Sequence, residues 1–67
     1  MTLKERQLFN DVLAQFKENY PEISVDYPYG DDYYMEFTNT RTEEYLGSLN
    51  ISGVNFAFCI YKLASIY

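Results

Sequence analysis

Histidine is missing altogether, and cysteine occurs once, as Cys59. Without histidine there is no Ser–His or Cys–His couple to activate a nucleophile. One thiol cannot form a disulfide within the chain, and with no imidazole beside it a structural zinc site is nearly excluded. Glycine is scarce: Gly30, Gly47 and Gly53 stand far apart, so no glycine-rich loop is available to cradle a phosphate. Basic side chains number five against ten acidic ones, a balance that repels nucleic acid and anionic membranes. The longest apolar run, residues 56–61, is far too short to span a bilayer. No basic-then-apolar segment opens the sequence, and a cytoplasmic, soluble protein is expected.

What is present is apolar and aromatic. Hydrophobic residues make up 48% of the 67 positions and aromatics 19%, with eight tyrosines. A disordered chain is poor in both. This length makes one domain, residues 1–67, and such a domain buries only about 60% of its unfolded surface. With disulfides and zinc set aside, stability must come from packing or from association.

Thr2-Leu3-Lys4-Glu5 has the form of a capping box. After it Leu8, Phe9, Val12, Leu13, Phe16 and Tyr20 recur at spacings of three and four, one apolar stripe on a helix over 3–19 that Pro21 stops. The period then shortens to two. Ile23, Val25, Tyr27 and Tyr29 alternate with Ser24, Asp26 and Pro28, and Pro28 marks an edge strand. Gly30-Asp31-Asp32 supplies a turn. Tyr33, Met35 and Phe37 alternate with Tyr34, Glu36 and Thr38, completing a hairpin. Tyr45, Gly47, Leu49 and Ile51 suggest a third strand, although Thr40–Glu43 could also cap a single helical turn. Ser52-Gly53 reads as a two-residue turn. Val54, Phe56, Phe58 and Ile60 alternate with Asn55, Ala57, Cys59 and Tyr61 as a fourth strand. The expectation is an α+β fold of the order αββββ, with the N-terminal α-helix packed on one face of a four-stranded antiparallel β-sheet. Val25, Tyr27, Met35, Phe37, Leu49, Phe56 and Phe58 would line the covered face.

Charge is unevenly laid out. Residues 1–20 are neutral, whereas residues 21–48 hold seven carboxylates against Arg41 alone, a net −6. Asp31-Asp32 and Glu43-Glu44 are adjacent pairs, and neighbours in a strand face opposite ways, so adjacency alone makes neither a proton-sharing couple. A calcium loop started at Asp26 fails, because Pro28 and Gly30 occupy ligand positions. Catalytic, cofactor and metal sites are therefore not assigned, and the chain is not expected to be an enzyme. Tyrosines on a sheet can stack bases, but that mode needs a basic groove for the phosphates, so direct nucleic-acid binding is not expected either.

A surface for protein contact remains. Tyr27, Tyr29 and Tyr33 fall on the inward phase. Tyr34 falls outward with Asp26 and Glu36, beside Leu46 and Tyr61 on neighbouring strands. Tyrosine rimmed by carboxylates suits an interface. Asp31, Asp32, Tyr34, Glu36, Glu43 and Glu44 are the candidate partner-binding residues. The partner would be a larger protein with a basic surface, a nuclease or nucleoprotein complex. The chain would inhibit it by covering the nucleic-acid site, as anti-CRISPR, anti-restriction and nuclease-immunity proteins do. The parallel with those proteins rests on size and charge alone. The second reading is a structural, self-associating module, a homodimer or a subunit of a larger assembly. It rests on a last strand that is apolar on both faces and needs cover on the second.

Overall fold

The computed structural model describes residues 1–52 and 55–66. Five elements follow one another: helix α1 (Leu3–Asn19), strands β1 (Ile23–Asp26), β2 (Tyr34–Asn39) and β3 (Glu44–Asn50), and helix α2 (Phe56–Ile66). The strands form one antiparallel sheet in the order β1-β2-β3. The fold is thus α+β with a three-stranded sheet and a C-terminal helix, not four strands behind one helix.

α1 starts at the capping box. The Glu5 amide donates to Thr2 Oγ1 at 3.1 Å, and the Thr2 amide donates to Glu5 Oε1 at 3.0 Å. The Thr2 amide, with the Thr2 hydroxyl beside it, favours the ionised carboxylate and holds the Glu5 pKa below its usual value. That contribution is present above the ordinary carboxylate range and is lost as acid protonates the group. The helix ends where Tyr20, ahead of Pro21, leaves helical geometry. Phe9, Leu13 and Phe16 are buried, whereas Leu8 and Val12 of the same stripe stay open to solvent. One helix serving as the whole cover would bury all five. Here α2 takes part of the sheet, and α1 is turned toward it.

The 56–66 segment was expected to begin as a strand and is a helix. Phe56, Cys59, Ile60, Leu63 and Ile66 are buried or pack against the core, at helical spacings. Asn55 caps the start, its Oδ1 accepting from the Phe58 amide at 2.7 Å. The apolar run carries both periods over its first half, and only the continuation through Leu63 to Ile66, too long for a strand in so small a sheet, favours the helix. Phe58, expected inward, is exposed on the far side of α2. Ser52 does sit in a turn, but Gly53 and Val54, the rest of the expected hairpin link, lie outside the described residues.

On the covered face Ile23, Met35, Phe37 and Leu49 are buried, and Val25 lies opposite Phe37. α2 packs over β3, where Ile66 approaches Gly47. α1 lies beside α2 and reaches β2 through Phe16, whose ring meets that of Phe37 edge-on at 6.0 Å and that of Tyr20 at 5.1 Å. Phe16→Ala should therefore cost about 3–5 kcal/mol, most of the stability of so small a domain. A thermal melt within a few degrees of wild type would place this helix face wrongly.

Cys59 is fully buried, and burial pushes its thiol pKa up. A thiol reagent should label it slowly in the native protein and rapidly in denaturant. The unfolded thiol ionises first, so stability should fall as pH climbs through the ordinary thiol range near about 8.5. Rapid native labelling would mean that α2 is not seated as described.

Candidate functional site on the open sheet face

Among the described residues only one face of the sheet is covered, so alternate residues of each strand look out. Tyr34, Glu36 and Thr38 do so on β2, and Ser24 and Asp26 do so on β1, in line with their half-buried or exposed side chains. The register sets Asp26 directly opposite Glu36, and Glu36 directly opposite Ser48. Two carboxylates thus face one another across adjacent strands on the open side, an arrangement that costs stability. The Tyr34 hydroxyl lies 3.4 Å from Glu36 Oε2. The ring of Tyr29, 74% exposed, packs on the ring of Tyr34 at 5.1 Å.

A bulge changes the phase of β3. Phe37 pairs with Gly47 and Thr38 with Tyr45, leaving Leu46 as the extra residue. Beyond it the faces exchange. Tyr45, expected inward, shares the open face with Thr38 and is 56% exposed, while Leu46, expected outward, packs against the core. Gly47 has φ +145°, a conformation L side chains rarely adopt. A Cβ there would meet only Ile66, at an ordinary 3.9 Å, so backbone shape and not space calls for glycine.

The β1–β2 loop is where the tyrosine expectations fail. β1 stops at Asp26, before Tyr27. Pro28 and Tyr29 form the middle of a turn closed by the Gly30 amide donating to the Tyr27 carbonyl at 3.0 Å, with Gly30 at φ +78°. Tyr27, Tyr29 and Tyr33 are consequently exposed, none packing inward under the helix end. Asp31 Oδ1 accepts from the amides of Tyr33 and Tyr34 at 2.9 and 3.1 Å. Arg6 Nη2 donates to the Asp32 carbonyl at 2.7 Å and lies 3.2 Å from Asp32 Oδ2, and the guanidinium sits over the Tyr33 ring at 5.2 Å. Arg6 Nη1 is buried with no hydrogen-bond partner among the described residues. Asp31 and Asp32 thus have structural work, and Arg6, distant in sequence, offsets charge that had seemed to face Arg41 alone.

The six candidate residues do not converge. Asp31 and Asp32 lie in the loop at one end of β2, Tyr34 and Glu36 lie on its open face, and Glu43 and Glu44 lie past its other end. That end is some 17–20 Å from the first, at the usual rise for a six-residue strand. Glu44 pairs with Asn39, a position on the helix side. What the register does join is Asp26, Glu36 and Tyr34, with Tyr29 added by its ring contact with Tyr34. Asp26 was in phase from the start, whereas Tyr29 and Tyr45 were missed because a turn and a bulge reset the alternation. Among the described residues no three acidic or thiol side chains cluster as metal ligands, and no helix is long and apolar enough to cross a membrane. No family model, curated protein or solved structure matches the chain.

The β2–β3 turn is closed by Asn39, whose Oδ1 accepts from the Arg41 and Thr42 amides at 3.0 and 3.2 Å. Glu43 then takes φ +61°, a left-handed conformation that costs an L residue about 1–2 kcal/mol. Glu43→Gly should raise the melting temperature by roughly 2–6 °C, the gain being trimmed by the greater entropy of unfolded glycine. A lower melting temperature would mean that the Glu43 side chain itself holds the turn.

Proposed function

We propose that this chain is a small acidic protein-binding module that inhibits a larger protein by covering its basic, nucleic-acid-binding surface. The observation that carries the reading is the cross-strand pair Asp26 and Glu36 on the open face, edged by Tyr34 and Tyr29. Two like charges held opposite each other are unfavourable within the chain, and a basic partner relieves that cost on binding. Exposed tyrosines beside them supply apolar contact at small loss of side-chain freedom. Carboxylates fixed on a rigid sheet take the place of phosphates and the rings take the place of bases. Docking would then be rapid, steered by opposite charge, and weakened by salt.

The contact surface drawn from this geometry is Asp26, Tyr29, Tyr34 and Glu36. Asp31, Asp32, Glu43 and Glu44 belong to its surroundings, adding field more than contact. Reversing Asp31 or Asp32 would confuse folding with binding, since the first holds two amides and the second holds Arg6. The cleaner variant is Asp26→Lys with Glu36→Lys, tested beside Tyr34→Ala. Bait protein should retain basic nucleic-acid-binding proteins from a lysate, and duplex DNA should release them. The charge-reversed variant should keep its melting temperature within a few degrees and lose at least about a hundredfold in affinity, the loss of two charged contacts at about 1.4 kcal/mol per tenfold. Undiminished binding by the variant, or retention that DNA does not compete, would remove the sheet face from consideration.

A further inference from the structure

α2 is apolar around nearly its whole circumference. Cys59 and Leu63 enter the core, while Ala57, Phe58, Tyr61 and Ala64 on other sides remain exposed, Tyr61 at 70%. A helix apolar on all sides is ordinarily covered on all sides. Alongside the exposed face, between α2 and α1, runs an apolar groove of about 440 Å³. Phe16, Leu63, Val12 and Ile60 line it, and Asp11 stands on its α1 side. From residue 45 to residue 67 the sequence has no acidic side chain, and Lys62 is its only charged one.

We propose that a second copy of this chain covers this face, in a two-fold pair that lays α2 across α2. The charge layout favours another copy. Each molecule carries a net −5, so two copies repel through their acidic faces, yet no carboxylate of one α2 opposes a carboxylate of the other. The shape is self-complementary as an isologous contact requires: a protruding ring, Tyr61, stands next to a groove that can receive one. Tyr61 of each copy enters the groove of the other. Lys62 follows Ile60, which lines the groove, by two residues and so projects about 160° away from it, on the opposite flank of α2. A two-fold axis running along α2, between the two copies, brings the other copy's α1 to that flank. Each Lys62 then meets the α1 whose groove side carries Asp11, and the two charges pair twice by symmetry.

The area suffices. α1 and α2, of 17 and 11 residues, are about 25 and 16 Å long, and with axes about 8–10 Å apart they present a face of roughly 500 Å² in projection. Accessible area on a corrugated face exceeds its projection, which approaches the 800 Å² or so that each partner gives to a standard interface. This contact lies on the opposite side of the molecule from the acidic sheet face, so a pair would display two acidic faces pointing outward.

The test is sedimentation of the full chain across concentration and salt. Wild type should dimerise below about 100 µM, a weak interface by affinity standards, with little loss in high salt, because screening of the repulsion between acidic copies offsets screening of the two Lys62–Asp11 pairs. Tyr61→Asp should raise the dissociation constant at least about thirtyfold, as loss of a central aromatic anchor does, with an unchanged circular dichroism spectrum. Lys62→Asp should also weaken the pair, and adding Asp11→Lys should restore it, which a fold defect would not allow. Wild type that stays monomeric overturns the proposal. So does a folded Tyr61→Asp protein that pairs as tightly as wild type, or a double charge swap that restores nothing.

Discussion

The ring of Phe37 is the contact on which the rest of the molecule depends. It is fully buried at the middle of the central strand, opposite Val25 on one side and Gly47 on the other, and the ring of Phe16 meets it edge-on from α1. Ile66 of α2 closes over Gly47 beside it. Every element therefore touches Phe37 or a direct neighbour of Phe37. The described residues form one core with no second to take over, so the helices and the sheet are stable only as one cooperative unit.

A sheet covered on one side sorts its side chains by chemistry. The buried side receives the apolar residues of three strands and two helices, and the open side and the loops receive the carboxylates. The sorting leaves two surfaces with opposite demands. The sheet face offers charge and tyrosine and suits a partner that brings positive charge. The helical face offers an apolar groove almost free of charge and suits a partner that brings apolar surface. Under the two proposals salt would weaken contact through the first face and leave contact through the second largely intact, so ionic strength is the natural variable for separating them.

How much of this was legible in the sequence varied along the chain. α1 was readable to the residue, because Thr2 and Glu5 mark its start, Pro21 marks its end, and the stripe between has a single period. The β2 alternation was readable too, with Met35 and Phe37 in and Tyr34 and Glu36 out. α2 was not, since Phe56, Phe58 and Ile60 satisfy a period of two as well as Phe56, Cys59, Ile60 and Leu63 satisfy 3.6, and the Asn55 cap is a single residue. Strand phase was reliable only until the backbone changed step. Asp26, before any irregularity, was placed on the correct face. Tyr29 lay beyond a turn and Tyr45 beyond a bulge, and both came out reversed. Arg6 joined the site through a bond across 26 residues, a separation that no local pattern encodes.

The bulge at Leu46 has a consequence for the edge of the sheet. β3 is an outer strand, with one row of amides and carbonyls not paired to β2, and a regular strand of seven residues is a ready template for another chain to extend. The extra residue and the unusual backbone at Gly47 bend and twist that edge midway, so that no straight strand can follow it for its full length. Deleting Leu46 would keep Tyr45 opposite Thr38 on the open face and remove the extra residue. It would straighten the edge and open a route to indefinite, edge-to-edge growth.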